Sequence, residues 1–74
     1  MEEKDFSVII LSESADYLVE IEDQIERKEK GVELIDPYIF NENEQAQLVR
    51  AEKIFIPYNS IETIQYGDFK QETV

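Results

Sequence analysis

Pairs of carboxylates are the residues in this 74-residue sequence whose types and spacing could do chemistry. The pairs are Glu20 with Glu22, Glu42 with Glu44, and Glu62 near Asp68. Acid–base catalysis by such a pair requires one carboxyl group to be desolvated, because only then do the two pKa values separate. Nothing around these pairs indicates a pocket, and surface carboxylates are normally solvated. The sequence therefore predicts no catalytic residues and no enzyme activity.

The sequence also offers few ligands for a metal ion or a cofactor. It contains no cysteine and no histidine, so it cannot form a disulfide, a thiolate nucleophile or a tetrahedral nitrogen–sulfur zinc site. The segment NENE, residues 41–44, supplies oxygen ligands for a hard cation but lacks the spacing and the glycine of a calcium loop. It has no glycine-rich phosphate loop and no Ser/His/Asp set. We expect no metal site and no cofactor.

Aromatic and basic residues are the remaining candidates for binding. The four tyrosines are Tyr17, Tyr38, Tyr58 and Tyr66. Their rings could stack on the bases of a single strand, but at strand spacing tyrosines more often belong to a core or an interface. The basic residues cluster at 27–30 and at Arg50 and Lys53, interleaved with glutamate in both places. This interleaving favours solvated faces over a nucleic-acid site.

The net charge of −11, from 7 Lys and Arg against 18 Asp and Glu, restricts the partners. A surface this acidic repels phosphate backbones and anionic membranes on average. The 42% hydrophobic and 11% aromatic content indicates a folded domain rather than a disordered acidic tail. No apolar run approaches the roughly 20 residues that span a bilayer, and the N-terminus MEEKDF lacks the basic start of a secretory signal. We expect a cytoplasmic protein with no membrane partner.

One small domain is expected over residues 6–69, between flexible polar tails at 1–5 and 70–74. Its clearest strand is FSVIIL, residues 6–11, in which both alternating sets of side chains are apolar. Such a strand is buried on both faces. A chain of this length builds only a thin core. The strand therefore predicts a partner subunit.

The segment from residue 12 to Gly31 has two interpretations. The favoured one is a strand in which Tyr17, Val19 and Ile21 alternate with their neighbours, followed by a solvated hairpin tip at 26–30. The alternative is a helix over 14–30, begun by Ser14 and ended by Gly31, which would make the fold α+β. Both interpretations stay open at this point.

The second half of the chain shows shorter extended segments. Residues 31–40 are extended and contain Pro37, which marks an edge or a bulge. A polar loop at 41–47 precedes a strand at 48–56, and a final strand follows at 62–66. Residues 57–60, PYNS, join these two strands through a tight turn of 3₁₀ type. This pattern predicts the corner of a strongly bent small barrel.

Three stretches, SVIILSESADYLVEIE, VELIDPYIF and KIFIPYNSIETI, together resemble the Sm-like proteins, including those found in some phage genomes. These are five-stranded, strongly bent small β-barrels of the SH3 type. The resemblance spans most of residues 6–66 and implies a mainly β fold. It further implies that strand four of one subunit pairs with strand five of the next, closing a homo-oligomeric ring. Candidate interface residues are Ile9, Leu11, Phe55 and Tyr66.

The sequence departs from RNA-binding Sm proteins at their base-contacting motifs. Pro57 and Tyr58 stand where those proteins carry an Arg-Gly pair. The segment EDQIERKEKG has no match to their Asp and Met-Asn motif, and the glycine usual on the bent second strand is missing. If RNA binds, the resemblance places the contacts in the last turn, at Pro57, Tyr58 and Asn59.

Three functional hypotheses follow. The first is a non-catalytic, self-associating scaffold or binding module with a possible protein partner. The second is an RNA-binding ring that uses the turn at residues 57–59. The third is an acidic inhibitor, or nucleic-acid mimic, which long-range electrostatic attraction steers to a basic partner.

Overall fold

The computed structural model describes residues 2–74 and is built from β-strands. The strands are β1 (Glu2–Ser12), β2 (Asp16–Val19), β3 (Ile25–Arg27), β4 (Gly31–Ile35), β5 (Tyr38–Phe40), β6 (Ala46–Leu48), β7 (Lys53–Pro57) and β8 (Ile61–Thr73). Single 3₁₀ turns occupy Glu22–Gln24 and Tyr58–Ser60. No α-helix occurs among the described residues. The prediction of a mainly β fold is confirmed.

The strands form two sheets. The first has the order β1-β2-β5-β6-β8, and β8 pairs back onto β1 from Glu2↔Thr73 to Ser12↔Ile61. The hydrogen-bonded order therefore returns to its first strand, although the link from β6 to β8 is the single pair Ala46↔Thr73. The second sheet has the order β3-β4-β7. The assignment to a strongly bent five-stranded barrel stays a prediction.

The core consists of two clusters, and β1 contributes to both. Val8 and Ile10 pack in one cluster, where the second sheet supplies Val32, Leu34 and Ile56. Phe6 packs in the other with Leu18 and Ala46, and half-buried Ile9 lies against that cluster. Burying each large apolar side chain stabilises the fold by about 1.5–3 kcal/mol. One chain therefore buries Phe6, Val8 and Ile10 by itself and leaves the other face of FSVIIL half-buried, so the partner subunit stays a prediction.

The polar chain ends are strands in the structure, whereas the sequence predicted tails. Residues 2–5 of β1 pair with residues 70–73 of β8, and Asp5 lies opposite Lys70. Thr73 is buried, and its Oγ1 donates a hydrogen bond to the carbonyl of Glu2 over 2.9 Å. Backbone pairing between the two strands thus organises residues whose side chains are polar. Met1 lies outside the described residues.

Residues 14–30 do not form the alternative helix, and the α+β interpretation is wrong. The Ile21 that a helix would bury is 55% exposed. Gln24 instead holds a 3₁₀ turn, because its Oε1 accepts the Ile21 amide and its Nε2 donates to the carbonyl of Ile35, each over 3.0 Å. Glu26 and Arg27 belong to β3, so the hairpin tip is shorter than predicted and consists of residues 28–30.

The predicted strand at 48–56 is divided between the two sheets. Its beginning belongs to β6 in the first sheet and its end to β7 in the second. Between them the amide of Val49 donates to Pro37 over 3.0 Å, and Glu52 accepts the amide of Asp36 over 2.8 Å. These two backbone bonds hold the chain where it crosses from one sheet to the other. The 3₁₀ turn predicted after Pro57 is confirmed.

Gly31 provides a test of the packing between β4 and β7. A Cβ atom there would lie 2.6 Å from Cζ of Phe55 and 2.9 Å from Cα of Pro57, and it would also contact the carbonyl of Ile56. We expect Gly31→Ala to lower the free energy of unfolding by about 1–3 kcal/mol, as overpacking does. Urea denaturation measures this loss.

Gly67→Ala is the matched control for that experiment. A Cβ atom at Gly67 would meet the ring of Phe69 at 3.2 Å, and that ring can move aside. The control should therefore lose much less stability than Gly31→Ala. Equal losses in the two variants would contradict the close approach of β7 to Gly31.

Candidate functional site

The turn after Pro57 is held against the tip of the β3–β4 hairpin. Gly31 pairs with Pro57, which ends β7 beside the first residue of β4. The amide of Tyr58 donates to the carbonyl of Lys30 over 3.1 Å. The hydroxyl of Tyr58 donates to the carbonyl of Lys28 over 2.8 Å. The predicted contact turn and the basic tip are therefore one surface, although about 30 residues separate them in the chain.

Arg27 links the same surface to the first sheet. Its Nη2 donates a hydrogen bond to the hydroxyl of Tyr66 on β8 over 2.9 Å. This bond raises the pKa of Arg27 above its ordinary value, with a smaller contribution from Tyr58. The guanidinium therefore stays charged at physiological pH. We call this surface the aromatic–basic rim; its members are Arg27, Lys28, Lys30, Tyr58 and Tyr66.

The cations of the rim differ in whether a carboxylate neutralises them. Lys28 forms an ion pair with Glu26 over 3.0 Å, and this contact raises the pKa of Lys28. The other ion pairs within residues 2–74 join Lys4 to Glu20 and Lys53 to Glu33. Arg27 and Lys30 thus have no carboxylate partner in the described structure. In a chain with 18 acidic residues, the rim thus brings together two cations that no carboxylate of the described residues pairs with, although Glu26 and Glu29 lie in the same hairpin.

The four predicted interface residues are distributed over three strands. Ile9 and Leu11 are half-buried on β1, which pairs with β2 on one side and with β8 on the other. Over Val8–Leu11 both sides of their strand are paired, so no edge is free there for a partner strand. Phe55 on β7 and Tyr66 on β8 are 49% and 46% exposed. Phe55 and Tyr66 are therefore accessible to a partner, whereas Ile9 and Leu11 are enclosed by neighbouring strands.

Open strand edges are the second feature of this surface. β7 pairs with β4 alone. β8 pairs with β1 along its length, and on its other side the described structure provides only the pair at Thr73. Residues 61–72 therefore present one side of the backbone without a strand partner. Such an edge accepts an added strand.

The NENE segment forms a loop that one of its own side chains closes. Oδ1 of Asn41 accepts the amides of Asn43 and Gln45 over 2.9 and 3.0 Å, so it closes the loop on itself. No group of three or more acidic residues in the described range is arranged to hold a metal ion. An open cleft of about 740 Å³ lies beside this loop, next to Asp16, Phe40 and Gln71.

Across residues 2–74 no helix has the length and apolarity needed to cross a lipid bilayer.

The sequence did not reveal that the turn and the tip meet. The sequence indicated a contact turn at residues 57–59 and, separately, a solvated basic cluster at residues 27–30. Their hydrogen bonds join residues 28 with 58 and 27 with 66, and no local pattern records contacts at such separations. The tyrosine spacing did favour an interface role for Tyr66, which the structure leaves accessible.

The segment β7–turn–β8 follows the order expected from the resemblance to Sm-like proteins. No protein-family model matches the chain, and no curated protein or solved structure matches it. The resemblance therefore rests on patterning and strand order, and membership of the Sm-like proteins stays a prediction.

Proposed function

We propose that this protein is a non-catalytic, Sm-like small β-barrel module that associates with further copies of itself. The observation that carries the proposal is the open side of β8 over residues 61–72, joined through one 3₁₀ turn to the open side of β7. The first sheet, whose strand order returns to β1, is compatible with a small barrel. Two of the open strand edges of each copy, those of β7 and β8, then lie next to each other in the chain.

Two different edges allow head-to-tail assembly. If β7 of one copy adds to β8 of the next, the contact is heterologous, and it closes into a ring when the rotation between copies permits. Lys53 and Pro57 are the first and last residues of β7, and a lysine or a proline at an edge limits pairing. Pairing then falls on the apolar residues 54–56 between them.

Phe55 is the side chain that assembly would cover. It is 49% exposed although it lies in the middle of β7. A specific interface buries about 800 Å² on each partner, about a sixth of the 4991 Å² surface of this chain. A half-exposed aromatic ring at such a contact contributes more binding free energy than the polar residues around it.

Sedimentation velocity of the full chain tests the proposal. We expect a mass that is a multiple of 8.7 kDa and rises with protein concentration. Phe55→Ser should shift the protein toward the monomer, because it removes apolar area at the open edge of β7. A wild-type chain that is monomeric up to about 1 mM, a concentration corresponding to about −4 kcal/mol, would refute the proposal.

Leu48→Ser is the matched control for Phe55→Ser. Leu48 is 56% exposed, like Phe55, but it lies on β6 in the other sheet. Both variants exchange an exposed apolar side chain for serine, and because the Phe55 ring lies close to Gly31, urea midpoints of both variants separate lost packing within the chain from lost association. If both variants reduce the sedimentation mass equally, the cause is a general loss of exposed apolar area and not a specific contact at the edge of β7.

Salt should strengthen self-association. Copies that each carry a net charge of −11 repel one another. Added salt screens this repulsion, because the Debye length falls from about 10 Å at 0.1 M to about 3 Å at 1 M. We expect the oligomeric fraction to increase between these salt concentrations, as measured by sedimentation. A decrease would show that attraction between opposite charges dominates the contact.

RNA binding at the turn is the second candidate, and one observation favours it. The turn containing Pro57, Tyr58 and Asn59 lies against the tip that carries Lys28 and Lys30. An exposed tyrosine beside basic residues combines a stacking platform with attraction for phosphates. The net charge of −11 opposes this attraction, so binding should be confined to the rim and strongly weakened by salt.

Fluorescence anisotropy with a short uridine- or adenine-rich RNA tests this candidate. Binding should be detectable at about 50 mM salt and lost at about 200 mM, as expected for phosphate contacts. Asn59→Ala should weaken it, whereas Asn43→Ala, at an exposed asparagine in another loop, should not. Absence of binding at low salt, or equal effects of the two variants, would remove this candidate.

A further inference from the structure

We propose that Arg27 accepts a carboxylate from a second copy of this chain, so that the aromatic–basic rim is the charged contact of the self-associated form. This inference rests on the proposed self-association and adds the surface and the chemical group that the neighbouring copy supplies. It starts from an arginine that is exposed, oriented and without a carboxylate in its own chain.

The hydrogen bond to Tyr66 orients Arg27 without neutralising it. Its Nη2 lies 2.9 Å from the Tyr66 hydroxyl, which is an uncharged acceptor. That bond uses one N–H donor of a guanidinium that carries five. A guanidinium held this way has already lost part of its side-chain freedom, so a second acceptor costs less ordering entropy.

The surroundings of Arg27 have the composition of an interface centre. Tyr58 and Tyr66 are 41% and 46% exposed on either side of it, and the Lys30 ammonium adds a second unpaired cation. Arginine and tyrosine are the residue types enriched at the contacts that carry most binding energy. The geometry of a guanidinium also matches a carboxylate in two parallel hydrogen bonds.

A second copy is the occupant that charge complementarity selects. Tyr66 belongs to β8, whose side away from β1 is open from residue 61 to residue 72. A strand added there brings its own flanking side chains toward the rim. Glu52 precedes β7, and both Glu62 and Asp68 lie on β8, all of them exposed and outside the ion pairs of the described structure. The approaching copy therefore presents carboxylates beside a rim in which Arg27 and Lys30 stand outside the ion pairs of the described structure.

The test compares the self-association constants of Arg27 variants by sedimentation equilibrium of the full chain. Arg27→Gln should weaken association about tenfold, which corresponds to about 1.4 kcal/mol. Arg27→Lys keeps the positive charge but lacks the forked geometry of the guanidinium. Its association constant should therefore lie between those of the wild type and Arg27→Gln. Arg50→Gln, at another exposed arginine outside the ion pairs, should leave association unchanged.

The outcomes separate this inference from the proposal on which it rests. A monomeric wild-type chain would overturn both. A wild-type oligomer whose mass is unaffected by Arg27→Gln, or affected equally by Arg50→Gln, would overturn the inference alone. Loss of oligonucleotide binding with unchanged mass in Arg27→Gln would also overturn it and assign the rim to nucleic acid. Urea midpoints that match between the Arg27 and Arg50 variants would exclude general destabilisation as the cause.

Discussion

The pairing of β1 with β8 is the interaction on which the remaining structure depends. It extends from Glu2↔Thr73 to Ser12↔Ile61 and brings the two ends of the chain together. Because β2 occupies the other side of β1 over Val8–Leu11, both sides of β1 are paired there. β8 lies at the outside of this ladder and keeps one side open. The open side of β8 is thus a direct result of placing β1 between two strands.

The connection between the two sheets determines where the rim forms. The chain leaves the second sheet at Pro57, makes a single 3₁₀ turn and enters β8 in the first sheet. Gly31 allows β7 to approach β4 closely at that point, since a Cβ atom would meet the backbone of Ile56 and Pro57. The tip of the β3–β4 hairpin must then lie beside Tyr58. A packing requirement at one glycine therefore brings together the basic and aromatic residues of the rim.

Local signals in the sequence predicted the parts of the fold that depend on neighbouring residues. The run FSVIIL indicated a buried strand, and PYNS indicated the 3₁₀ turn, because side-chain alternation and turn chemistry are short-range. The segment at 14–30 was ambiguous because Gln24 settles it through a bond to Ile35, which a local pattern cannot show. The pairing of the chain ends was not predicted for the same reason. Their side chains are polar, and residues 2–5 and 70–73 are stabilised as strands by backbone pairing with each other. The turn at residues 57–59 was a predicted contact site, but its association with Arg27 depends on Tyr66, 39 residues away.

The acidity of the chain is best understood together with its open edges. An exposed edge pairs with any other strand unless charge or shape opposes it. Glu62, Asp68 and Glu72 place negative charge along β8, so random edge-to-edge contact between copies is disfavoured. The same charges that oppose unselective pairing would favour one geometry, in which the carboxylates of one copy meet an unpaired guanidinium of the next. The inhibitor hypothesis uses the same acidity toward a basic partner, but it assigns no role to a positive rim. The proposed self-association would use both the overall acidity of the chain and the Arg27 guanidinium, which forms no ion pair in the described structure.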